Sequence, residues 1–198
     1  MGRPARFDSD TLVAAATALA ARGGPAAVAM AAVAREAGAP SGSVYHRFPG
    51  RPALLAAVRL GALADFQEGF LEALASEDAL AAAVGAARHV PAWCRSSPER
   101  ARVLLYSDAD FEAERWPPAE RERRDRGNAR LGRAVVEVAE RLRDPGEPAA
   151  AALERVRTAI VDLPLALVRR HLAEAGTVPA RAEEAVADAA HRLLAPRP

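Results

Sequence analysis

Apolar residues recur along this chain at intervals of three and four, and the rhythm breaks only at stretches rich in Gly and Pro. Leu12, Ala15, Ala16 and Leu19 mark one face of a first helix. Asp8 is placed to cap it, with Phe7 packing on Leu12, and Arg22-Gly23-Gly24-Pro25 stops it. The pattern then predicts a short helix from about Met30 to Ala37, ended by Gly38. A shorter one follows from about Ser41 to Arg47, with Ser41 as its cap. Phe48-Pro49-Gly50 turns the chain, and Pro52 suits the first position of a fourth helix reaching about Ala75.

Further helices are predicted at about 77–95, 98–108, 118–143, 148–175 and 179–194, several with Pro near the start. Pro164 is the exception: it falls inside a helical run and predicts a kink. With no strand alternation of useful length and no repeat, the fold class is all-α, with about nine helices.

Two short helices joined by a Gly-containing turn and packed on a first helix make a three-helix, helix-turn-helix DNA-reading unit. Gly38 must let the chain turn where a side chain would crowd the helices. Val33, Ala37, Val44 and Phe48 must face inward, which leaves Ser41, Ser43, Tyr45, His46, Arg47 and Arg51 as donors for phosphates and base edges. The breaks on either side isolate a stub of helix short enough to enter a groove end-on.

Composition sharpens this picture. The 198 residues are 51% hydrophobic and 27% charged, which suits a well-cored globule. The chain has no Lys, so every basic residue of the Lys and Arg class is Arg. The overall formal charge of +1 hides an asymmetry, since residues 1–60 carry a net +4 and the remainder −3. A basic head on a mildly acidic body is expected when one end meets a polyanion. One cysteine, Cys94, excludes an internal disulfide and most Cys-based metal sites. No run approaches the roughly 20 apolar residues of a membrane span, and the start has no apolar core of signal-peptide length, so the cytoplasm is the expected compartment.

The stretch from Phe7 to about Leu55 resembles the amino-terminal domain of the tetracycline-repressor (TetR) family of bacterial regulators. Leu12 with Ala16, Val33-Ala34-Arg35-Glu36-Ala37-Gly38, and Ser43-Val44-Tyr45-His46-Arg47-Phe48 followed by Arg51 and Leu54-Leu55 carry the resemblance, over about a quarter of the chain. The resemblance implies that the aromatic-bearing short helix enters the major groove through Tyr45, His46 and Arg47. It also implies a phosphate contact at Arg51, which replaces the usual Lys. Arg47 is the candidate for bidentate contact with guanine, worth about 1–3 kcal/mol of discrimination. Arg3 and Arg6 form an arm that could reach the minor groove or flanking phosphates. Ala29 and Met30 stand where the family caps its second helix, and Ala31 where it often contacts a base, which shifts the burden of readout to the third helix.

By the same resemblance, residues 1–50 form the DNA-binding domain and residues 51–198 a helical domain that binds a small-molecule effector and pairs with a second subunit. The implied partners are a double-stranded DNA operator and a homodimer mate held through the last two helices. Leu153, Val156, Ile160, Leu163, Leu167 and Val168, and then Val186, Leu193 and Leu194, supply the apolar stripes there. Phe66, Phe70, His89, Trp93, Tyr106, Phe111 and Trp116 are the candidate ligand contacts, each equally at home in a core. Ligand is implied to tilt the fourth helix and take the two reading helices out of register with adjacent groove turns, about 34–36 Å apart.

No cofactor, metal site or catalytic residue is expected. The residues offer no paired carboxylates, metal-ligand spacing or nucleophile–base arrangement. The repressor reading is therefore set against two rivals: a DNA-binding regulator without an effector, and a helical enzyme or scaffold using the same cavity. Arg121, Arg123, Arg124 and Arg126, interleaved with Glu120, Glu122 and Asp125, read as a solvated salt-bridging face.

Overall fold

The computed structural model describes residues 8–195; Phe7 and the Arg3–Arg6 arm lie outside them. Among the described residues all regular structure is helical. The helices are α1 (Ser9–Gly23), α2 (Met30–Glu36), α3 (Ser41–Arg47), α4 (Arg51–Leu74), α5 (Ala79–Ser96), α6 (Pro98–Leu105), α7 (Pro118–Arg141), α8 (Ala149–Arg157), α9 (Leu163–Ala175) and α10 (Arg181–Leu194). A π-helical turn, Thr158–Asp162, joins α8 to α9, so the ten segments make nine rods. The chain divides into two compact units. One holds the chain up to Ala64 together with Glu99–Asp125, and the other holds Asp65–Pro98 together with the chain from Arg126 onward.

In the first unit, Asp8 caps α1, its carboxylate accepting from the Thr11 N–H at 2.8 Å. That bond holds the Asp8 carboxyl below its ordinary range. Gly24, at φ +72°, ends the helix. At the end of α2 the Ala39 N–H bonds the Ala34 carbonyl at 2.8 Å and the Gly38 N–H bonds that of Arg35 at 3.2 Å, a Schellman closure with Gly38 at φ +64°. Gly38 is therefore required for its backbone angle and not for lack of room: a Cβ there would meet nothing within 4 Å. Ser41 does not cap α3 as expected. Pro40 takes that position, Ser41 is already helical, and the Pro40 carbonyl accepts from the Ser43 N–H.

These short helices persist because one core buries them. Leu12, Val28, Val33, Val44, Leu54 and Leu55 are fully buried, and Phe111 and Trp116 belong to the same core. Full burial of such side chains contributes about 1.5–3 kcal/mol each, against an isolated seven-residue helix that would not form in water. The Trp116 indole N–H donates to the Phe111 carbonyl at 2.7 Å, so the segment after α6 is fixed by a hydrogen bond as well as by burial. The sequence pattern predicts helix as far as Asp108, but α6 stops at Leu105. Ser107 and Asp110 then close a turn, the Ser107 N–H and hydroxyl both donating to the Asp110 carboxylate at 2.7 Å.

In the second unit α5 packs on α10, which buries Ala182, Val186, Ala187, Ala190 and Leu194. At Pro164 the helical run is interrupted by a change of hydrogen bonding. The Leu163 N–H reaches back five residues to the Thr158 carbonyl, a π turn that absorbs the step where Pro164 offers no donor. Pro164 is not the sole interior proline, however: Pro91 lies inside α5 and is buried.

Because Phe111 closes the core that holds the helix-turn-helix, Phe111→Ala should destabilise the protein by about 3–5 kcal/mol. Urea denaturation followed by helical circular dichroism measures it; a loss under about 1 kcal/mol would show that this segment is not part of that core.

Candidate nucleic-acid interface

A seven-residue helix has about two turns, so its side chains divide sharply into an inner and an outer set. In α3, Val44 and Phe48 at its end point inward. Tyr45 is 61% exposed, and Ser41, His46 and Arg47 are exposed beside it, with Ser43 half-buried. Such exposure is uncommon for an aromatic without a partner. His46 and Arg47 occupy the last turn, where cations suit the helix dipole. On α2, Ala31 and Arg35 are exposed, while Glu36 is paired with Arg22 at 2.8 Å.

Arg51 does not share this outward arrangement. Its Nε donates to the Val28 carbonyl at 2.7 Å and one terminal nitrogen to that of Pro25 at 2.8 Å. The other terminal nitrogen pairs with the Glu112 carboxylate. All three nitrogens are engaged within the unit, an intramolecular role at the start of α4. Arg59 is similarly engaged: it donates to the Val103 carbonyl at 2.8 Å, pairs with Asp108 at 3.2 Å and lies over the Phe111 ring at 5.7 Å.

The seven candidate ligand contacts fall into two groups. Phe66, Phe70, His89 and Trp93 come together in the second unit, with the Phe66 ring 5.6 Å from Phe70, 5.3 Å from His89 and 5.3 Å from Trp93. The Trp93 indole donates to Asp65 at 2.8 Å, and His89 Nε2 lies 3.0 Å from the Phe66 carbonyl. A Cβ on Gly69 would lie 2.4 Å from the His89 ring, so the imidazole occupies the space a side chain would need. Tyr106, Phe111 and Trp116 belong to the first unit instead, where Phe111 and Trp116 are core and Tyr106 is partly exposed.

Sequence reading missed two features. One is Glu112, whose partner Arg51 lies 61 residues away. The other is a groove of about 710 Å³ in the second unit, lined by Leu131, Val135 and Val136 of α7, Leu153 and Arg157 of α8, and Val161. The apolar positions of the carboxyl half of α7 were the available signal for it. Cys94 is buried in α5, and burial pushes its thiol up to about 11, which leaves it inert at neutral pH. Among the described residues no cluster of three or more His, Cys, Asp or Glu could hold a metal ion. No described helix is long and apolar enough to cross a membrane.

Residues 12–58 match the family described as bacterial regulatory proteins, tetR family. Nearly all of the chain shares its fold with solved structures of low identity. A TetR family transcriptional regulator, PfmR, from Thermus thermophilus is 15% identical, with a TM-score of 0.71, covering 97% of this chain and 98% of that one. The fatty acid degradation regulator FadR from Bacillus halodurans is 14% identical, with a TM-score of 0.72 and coverage of 96% and 100%. The transcriptional regulator FadR from Bacillus subtilis, solved with stearoyl-CoA, is 13% identical, with a TM-score of 0.68 and coverage of 95% and 98%. No curated protein sequence matches the chain.

Burial lowers the pKa of His89, while the Phe66 carbonyl, Asp65 and Glu72 oppose it. The folded state therefore favours the neutral ring, and the unfolded chain takes up the proton first as pH falls below about 6.5. Stability should be fully present above that pH and fall below it. His89→Gln, which keeps an N–H donor for Phe66, should flatten that part of the profile; urea midpoints between about pH 5 and 8 test it.

Proposed function

We propose, on the premise that the amino-terminal domain belongs to the tetR family of bacterial regulatory proteins, that this chain is a transcriptional repressor. It binds a palindromic operator as a dimer and is released by a small organic ligand. The outer face of α3 carries this reading: an exposed Tyr, His and Arg sit on a helix held to the core by Val44 and by Phe48 at its end. Arg47 reads a guanine, Tyr45 and His46 contact base edges or phosphates, and Ser41 and Ser43 position the helix on the backbone. No enzymatic activity is part of this function, which is exercised in the cytoplasm, where the operator lies.

The second subunit meets the region of the last two rods. Leu163 at 40% exposure and Leu193 at 42%, with Leu165 beside them, are the large apolar side chains left uncovered there. Val156, Ile160, Val168, Val186 and Leu194 from the same stripes are buried within the subunit and are not available to a partner. For the ligand, the second unit offers the Phe66–Phe70–His89–Trp93 cluster, and its apolar character suits an effector with a large apolar part. The stearoyl-CoA held by the Bacillus subtilis relative supports such a chemistry.

Selection from random duplexes should return a palindrome, and Arg47→Ala should abolish selective binding to it while fold and dimer persist. Equal footprints by mutant and parent would remove Arg47 from the interface. The protein should sediment as a dimer without DNA, and Leu165→Arg with Leu193→Arg should shift it to monomer. A stable parent monomer at micromolar concentration would overturn the dimer.

A further inference from the structure

Glu112 stands out on backbone geometry alone. At φ 55° it is the sole residue other than glycine with positive φ among those described, a conformation that L residues adopt only when their surroundings demand it. Its neighbours supply that demand. Phe111 is fully buried, Ala113 and Trp116 nearly so, and the Ala113 N–H bonds the Asp108 carbonyl at 3.0 Å. The carboxylate is therefore delivered from a rigid mount. One oxygen pairs with Arg51 and the other with Arg115 at 2.9 Å.

Arg51 opens α4, just after the Phe48-Pro49-Gly50 turn that ends the reading helix. The same guanidinium bonds the carbonyls of Pro25 and Val28 in the connection between α1 and α2. One planar cation thus joins three places: that connection, the corner between α3 and α4, and the segment after α6. A Lys carries its three donors on one nitrogen and lacks the planar spread by which the guanidinium uses three separate nitrogens here. Tyr106 of the same segment lies against Gly24, where an added Cβ would stand 3.0 Å from its hydroxyl, which reinforces the grip on the connection.

We propose that Glu112 is a positioning residue for DNA recognition. By pairing with Arg51 it fixes the corner from which α3 projects, and it keeps Arg51 on the protein and off the phosphates. The inference rests on the DNA-binding reading above and adds to it a residue remote in sequence from the helix-turn-helix.

The test uses the full-length protein and the operator selected by the parent. Glu112→Gln removes the charge. Glu112→Gly removes the carboxylate while relieving the backbone angle, so it retains the fold if the first variant does not. Each should weaken operator binding about five- to tenfold. Affinity for an unrelated duplex, and the slope of log affinity against log salt, should stay unchanged. Arg51→Gln should show the same pattern, and the double variant with Glu112→Gln should lose no more than either alone. Tighter operator binding by the Glu112 variants, or a salt slope reduced by about one in Arg51→Gln, would overturn the proposal by making Arg51 a phosphate contact. Unchanged operator affinity with only a lowered melting temperature would overturn it by reducing the pair to a structural tie. A parent that selects no operator would instead sink the DNA-binding reading itself.

Discussion

Burial of Val44 and Phe48 is the constraint on which the reading face depends. α3 is too short to be helical by itself, so its shape is borrowed from the core it touches. Once those two side chains face inward, the helical period leaves Tyr45, His46 and Arg47 outside. The core that accepts them is not made by the first three helices alone. Phe111 and Trp116, from far along the chain, complete it. The reading face and the segment after α6 therefore share one packing unit, and a disturbance to either is felt by both.

The arginines show how little a charge count says about surface potential. Of those in the amino-terminal part, Arg22, Arg51 and Arg59 are neutralised by Glu36, Glu112 and Asp108. Arg35 and Arg47 remain exposed on α2 and α3. The basic character of the head is thus narrower than its net charge suggests, and it is concentrated where the helix-turn-helix faces outward. The same economy holds in the second unit, where Arg155 binds Glu147 and the Leu142 carbonyl to close the turn between α7 and α8.

Local signals were legible wherever a breaker residue bounded a periodic stretch. Pro40 and Pro49-Gly50 bracket α3, and its limits agree with the residues read from the pattern. The Asp8 cap was legible for the same reason, since its partner is three residues away. Features that depend on remote partners were not. The carboxylate partner of Arg51 is Glu112, 61 residues along the chain, and nothing near Arg51 in the sequence points to it. The seven aromatic and polar candidates divided because helical spacing shows which residues share a face, but not which helix lies opposite. The π turn was not legible either: it takes Leu163, which the spacing placed on the apolar stripe, to an exposed position and buries Pro164 instead.

The close approach of His89 to Gly69 ties two positions on different helices into a single inheritable unit. With an imidazole at 89, position 69 admits no Cβ without displacing the ring. A side chain at 69 is therefore accommodated only if the ring at 89 moves or is replaced by something smaller, while 89 can shrink on its own, leaving a void. The two positions are thus coupled in volume, and a gain at 69 is linked to a loss or movement at 89.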